Sequence, residues 1–155
     1  MRCEYRTFQI PPLHQQARTT ADYVIGGVTG TLAWPVALLL GRYDQHRVLR
    51  YAGLTHPIKA DQRRDLTAAL RGLPFQGTGS GHPWPCPLPA AWAAGLSGRD
   101  PLPFTPVEPT VVAEVEVDTA IDGPFGRLRH RCRHVRVRLD LHPRDTTVVD
   151  IAPAT

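Results

Sequence analysis

Lysine is almost absent from this chain: Lys59 is the only one, against seventeen arginines. An Arg-, Ala- and Pro-rich composition follows from a GC-rich coding sequence, so arginine abundance alone assigns nothing. Cysteine is scarce too. Cys3, Cys86 and Cys132 are odd in number, widely spaced and form no C-x-x-C pair, so neither a disulfide framework nor a cysteine zinc site is expected. No apolar run reaches the roughly 18 residues that a membrane-spanning helix needs. The first twenty residues hold no continuous apolar stretch of the secretory kind, so no membrane partner is expected and a reducing cytoplasm is the expected compartment. Aromatic residues total 7%, thin for a protein that stacks on single-stranded bases. What remains is globular: 155 residues, 42% hydrophobic and 21% charged, enough for one domain with a sizeable core.

Charge is more informative in its distribution than in its sum. The net charge is +4 and the isoelectric point is about 9.3. Six arginines fall between Arg127 and Arg138, and five acids precede them: Glu108, Glu114, Glu116, Asp118 and Asp122. The local field is therefore strongly polarised.

The organisation reads as an arm at residues 1–21, a domain at 22–147 and a tail at 148–155. YVIGGV (Tyr23 to Val28), PVALLLGRY (Pro35 to Tyr43) and Val48 to Leu54 are three apolar runs joined by short turns, the pattern of an antiparallel meander. The period then changes. Leu66, Ala69, Leu70 and Leu73 lie at i, i+3, i+4 and i+7, one stripe of a helix over 60–73. More than half of the sixteen prolines follow, between Pro74 and Pro109. Residues 74–109 form a long connection with room for a short helix at 90–96, and it either covers the domain or touches a ligand. From Thr110 to Thr119, Val111, Ala113, Val115 and Val117 alternate with Glu114, Glu116 and Asp118. After a turn at Asp122–Gly126, Arg129 to Leu141 reads as the return strand. Val135, Val137, Leu139 and Leu141 are expected on one face, with His134, Arg136, Arg138 and Asp140 on the other. Five strands with a helix after the third predict an all-β fold: a five-stranded Greek-key barrel of the OB type.

Several motifs carry no chemistry. Gly26-Gly27-Val28-Thr29-Gly30 lacks the G-K-[ST] ending of a phosphate loop and reads as a strand end. His130 and His134 would lie about 13 Å apart on a strand, too far for one ion, so no metal site is expected. Cys132 reads as a small packing residue. Trp34, Trp84 and Trp92 offer stacking surfaces, though a loop tryptophan such as Trp84 reads first as a hydrophobic lid. Arg136 and Arg138 admit two roles. Arginine forks suit phosphate oxygens, but the same residues can pair across a hairpin with Glu114, Glu116 and Asp118. Arg127, Arg129, Arg131 and Arg133 admit a phosphate-tracking edge or a charge run that keeps an edge strand soluble.

YVIGGVTG, LLLGRYD, LRYAG, PTVVAEVEVD and DGPFGRLRHRCRHVRVRLDLHP, in that order, resemble the C-terminal OB domain of ATP-dependent DNA ligases, most of all the bacterial repair-type enzymes. The resemblance covers residues 18–147. Its strongest piece is Arg129-His130, then Arg136-x-Arg138-x-Asp140 and Pro143, which is similar to the last nucleotidyltransferase motif of that family. The resemblance implies auxiliary catalytic roles for Arg136, Arg138 and Asp140 in orienting the ATP pyrophosphate. It implies DNA contacts from Arg127, Arg129, His130, Arg131 and Arg133, on a nicked duplex, in DNA repair or recombination near the nucleoid. The K-x-D-G motif that bears the family's nucleophilic lysine lies on a preceding domain and is not matched. Lys59-Ala60-Asp61-Gln62 has glutamine for the glycine and follows the third strand, so it reads as coincidence. No lysine stands in Leu13–Thr20, where nucleotide-binding lysines are expected. ATP and Mg²⁺ are thus implied only together with a separate nucleotidyltransferase domain, and no activity is expected alone. An orphan nucleic-acid-binding OB module and a truncated ligase remnant are the alternatives.

Overall fold

The computed structural model describes residues 19–75, 82–93, 100–117, 121–122 and 127–146. Strands β1 (Thr19–Gly30), β2 (Pro35–Tyr43) and β3 (Leu49–Leu54) form the expected meander, followed by helix α1 (Ala60–Leu70). Then come β4 (Thr105–Pro106), β5 (Val112–Val117), the small pair β6 (Ile121–Asp122) and β7 (Arg127–Leu128), and β8 (Arg133–Arg138). The main sheet runs β3-β2-β1-β5-β8, with β4 beside β1. Its ladders are antiparallel. The outer strands approach at a parallel bridge between Thr55 and Cys132, where His56 N donates to Cys132 O at 2.8 Å and Cys132 N to Leu54 O at 3.1 Å. The result is the all-β, OB-like barrel expected, but the sheet is not closed by a continuous ladder. No helix among the described residues is long and apolar enough to cross a membrane.

β1 begins at Thr19, three residues before the expected domain start, because Thr19–Val24 pair with β5. Its second half pairs with β2, and the register shifts between Ile25 and Gly27. That bulge lets one strand change partners and curls the sheet. Tyr23, Ile25 and Val28 then point into the barrel with Leu38, Leu40, Ala113, Val115, Leu66 and Leu70. At the β2–β3 turn the Asp44 carboxylate accepts from His46 N, Val48 N and Arg50 Nε at 2.8–3.0 Å. Burial opposes its ionisation, but these donors outweigh it and hold its pKa below the ordinary value.

The proline-rich connection covers the barrel. Val24, Leu39, Leu49 and Tyr51 form a second core with Trp84, Leu88 and Phe104 on the outer face of β1–β3. This explains why β2 is apolar along its length rather than alternating: both its faces are covered. Trp84 is 3% exposed and its indole N–H donates to Leu49 O at 2.9 Å. A Cβ at Gly26 or Gly41 would run into its ring, so both strands need glycine there. Residues 90–93 make a turn, and the rest of the short helix expected at 90–96 lies outside the described residues.

Truncating Trp84 removes the centre of this second core without touching the barrel interior. Trp84→Ala should destabilise the fold by about 3–5 kcal/mol, read as a lowered urea midpoint. A midpoint unchanged from the parent would contradict the covering role.

Candidate nucleic-acid interface

The arginine-rich segment leaves the β7 strand, passes the end of β3 and becomes β8. Arg127 stacks its guanidinium 4.4 Å from the centre of the Trp92 ring. Arg129 and His130 are exposed. Arg131 Nη1 donates to Thr55 O at 3.0 Å, which pins the segment to the seam between β3 and β8. Cys132 is buried there, as a packing residue should be. The connecting residues 123–126, where the turn is expected, lie outside the described residues, as does Asp118.

β8 does not alternate as its sequence suggests. Glu114 pairs with Arg136 but the adjacent Val115 pairs with His134, so Val135 is an extra residue in the ladder. The bulge reverses the facing of what precedes it. His134, expected outside with the arginines, is instead 4% exposed, and Val135, expected inside, is 39% exposed. Val137 packs against the core as expected. Leu139 is 82% exposed rather than inward, because β8 ends at Arg138 and the chain turns away. Helix α1 secures the bulge: Gln62 Nε2 donates to His134 O at 3.0 Å. Gln62 is the residue that stands in place of glycine in Lys59-Ala60-Asp61-Gln62, and here it is a helix-to-strand anchor. Lys59 is exposed at the N-cap of α1.

The outward arginines of β8 meet carboxylates. Arg136 Nε donates to Glu114 Oε1 at 2.6 Å. Arg133 lies 3.8 Å from Glu116. Arg138 grips Asp140 through Nε and Nη2 at 2.9 and 2.8 Å and reaches Asp22 of β1 at 3.4 Å. The Arg136 hydrogen bond draws the Glu114 pKa down. The Arg138 fork holds Asp140 at about 2 and raises the guanidinium's own pKa. Arg136, Arg138 and Asp140 are therefore brought together on one face of the sheet, with Arg133, as a paired lattice of cations and anions. Arg127, Arg129, His130 and Arg131 lie along the seam instead. Asp22 has no signal in sequence, since it reads only as the boundary of the first strand; its contact depends on β1 lying on the far side of β5.

Of the three tryptophans, Trp84 is in the second core and Trp92 lies under Arg127. Trp34 is 61% exposed and stacks with Arg63 at 4.3 Å. Among the described residues no three His, Cys, Asp or Glu side chains converge to hold a metal ion. These residues do not by themselves fit Mg²⁺.

No protein-family model matches the chain, and no curated protein matches it. Among solved structures it is similar to the ligase domain of LigD from M. tuberculosis: 27% identity and a TM-score of 0.59, over 84% of this chain and 37% of that one. It is similar also to mycobacterial DNA ligase D complexed with ATP and MES: 26% identity and a TM-score of 0.59, over 83% of this chain and 37% of that one. The chain thus spans just over a third of the length of each. It is a ligase-related, OB-like domain.

The inward His134 makes the fold sensitive to acid. Burial lowers its pKa to about 4, with Asp65 opposing weakly, and its Nδ1 is buried without a partner. The unfolded chain takes up this proton near the ordinary value of about 6.5, the folded chain only near 4. Stability should therefore fall as pH drops through that window, by roughly 2–4 kcal/mol, measured by denaturant unfolding at stepped pH. His134→Leu should flatten that part of the profile. A parent profile already flat from pH 6.5 to 4 would contradict the assignment.

Proposed function

We propose that this chain is the OB module of an ATP-dependent DNA ligase, which binds nicked duplex DNA and assists lysine adenylylation and nick sealing beside a nucleotidyltransferase domain. The observation that carries this reading is the likeness to the LigD ligase domain over 84% of the chain. Duplex DNA presents closely spaced phosphates, and arginine is the side chain best shaped to meet them in pairs. The seam residues Arg127, Arg129, His130 and Arg131, with Arg133 of β8, supply DNA contacts. Arg136, Arg138 and Asp140 face the phosphates of a nucleotide presented by the partner domain. ATP and Mg²⁺ belong to that joint site. The residues of this chain position and neutralise phosphate, and its single lysine is not the nucleophile.

Binding to nicked, intact and single-stranded DNA over a salt series tests the DNA half of this reading. Three to five phosphate contacts give log K against log salt a slope of roughly −3 to −5, with duplex preferred. A preference for single strands would overturn it. The catalytic half is tested by mixing the chain with a lysine-bearing ligase nucleotidyltransferase domain and labelled ATP with Mg²⁺. Adenylate should form faster on the partner, the stimulation should be lost in Arg138→Ala, and no label should reach this chain. A stable adenylate on Lys59 would contradict the assignment.

A further inference from the structure

The arginine lattice is not uniformly held. Arg138 is fixed: two nitrogens grip Asp140, a third reaches Asp22, and its side chain is only 20% exposed. Arg136 is different. Its side chain is 60% exposed and it bonds Glu114 through Nε alone. Among the described residues its two terminal nitrogens donate to nothing. Glu114 is the anchored member of the pair. It lies on β5 between β1 and β8, and its side chain is 17% exposed. The guanidinium can swing outward by rotation of its stem, whereas the carboxylate stays against the sheet.

From this asymmetry we infer that Glu114 is an internal counter-ion that competes with phosphate for Arg136. Its carboxylate bonds Arg136 as a phosphate oxyanion would, and binding requires the oxyanion to draw the guanidinium away. The inference rests on the proposal that this face meets phosphate, and it adds a positioning residue with a regulatory consequence. Affinity is set partly by the acid beneath the arginine. The pair keeps the strand neutral until a multiply charged ligand, richer in oxyanions than one carboxylate, arrives. A monovalent anion gains little by the exchange, so the arrangement discriminates in favour of closely spaced phosphates.

Glu114→Gln keeps the length of the side chain but removes the competing charge. It should tighten binding of nicked duplex or of inorganic tripolyphosphate about 3- to 10-fold, and steepen the salt slope by about one for DNA. The gain should vanish in the Arg136→Ala background. Tightening of DNA alone assigns the oxyanion to the phosphodiester backbone; tightening of tripolyphosphate alone assigns it to a nucleotide. Asp61→Asn, an exposed acid on α1, measures the general effect of removing one negative charge and should act equally with or without Arg136. The inference is overturned if Glu114→Gln changes neither affinity, or if its gain survives Arg136→Ala. Nicked-duplex binding that persists while Glu114→Gln alters neither duplex nor tripolyphosphate affinity would leave the ligase reading standing and remove this one. Tripolyphosphate binding that tightens through Arg136 in a chain with no duplex preference would do the reverse. Circular dichroism checks the fold, and Glu114→Thr, a neutral strand-forming side chain, is the second variant.

Discussion

The structure depends on one strand serving two partners. β1 pairs with β5 over its first half and with β2 over its second, so the sheet must bend where the partners change. The bend sits at Gly26–Gly27, where the register shifts. Two consequences follow from the same place. Inside the curl, Ile25 and Val28 share the interior with α1 and β5. Outside it, the missing Cβ atoms of Gly26 and Gly27 admit the Trp84 and Phe104 rings respectively, and the proline-rich connection then covers the face that the curl turns outward. A long connection rich in proline is well suited to this. It loses less chain entropy on ordering than a flexible one and buries its aromatic residues while adding only the two-residue strand β4.

The electrostatics of the arginine strand follow from the same topology. Because β5 lies between β1 and β8, acids from two strands reach arginines on the third: Glu114 and Glu116 from β5, Asp22 from β1. Exposed ion pairs of this kind contribute little to stability, about 0–1 kcal/mol each. Their weight lies in placement. Arg138 is held by Asp140 and Asp22 together, so its position is defined before any ligand arrives. A cation fixed in advance gives up little freedom when it binds phosphate, which is the physical basis of preorganised recognition.

Much of the fold was legible because its signals are local. Pro35–Tyr43 is a continuous apolar run and became a strand with the same ends; the i, i+3, i+4 stripe of Leu66, Ala69 and Leu70 became α1. What was not legible depended on contacts distant in sequence. The inward turn of His134 needs the extra residue Val135, and nothing in HRCRHVRVR marks which residue the partner strand will skip. The same bulge exposes Val135. The cover formed by Trp84 depends on glycines some sixty and forty residues earlier, and their meaning emerges only when the ring is seen against them. For the candidate site, the pairing of Arg136 with Glu114 was one of two open readings. Alternation can place both residues outward, but only the register of β5 against β8 decides that they meet.

β8 also has to manage an edge. It has one ladder partner, β5, and meets β3 only at the bridge beside Cys132. An edge strand with regular alternation and free carbonyls invites pairing with another chain. Three features oppose this. The bulge at Val135 breaks the regular edge, Gln62 occupies the His134 carbonyl, and Arg133 and Arg136 stand outward from it. Charged outward residues therefore serve the fold whether or not a ligand ever binds them. Paired with acids, they keep the edge soluble without leaving an uncompensated positive field along it. The fixed Arg138 and the lightly held Arg136 are thus compatible with two demands on one strand: an edge that resists adding another strand, and a row of cations that a polyanion can still recruit.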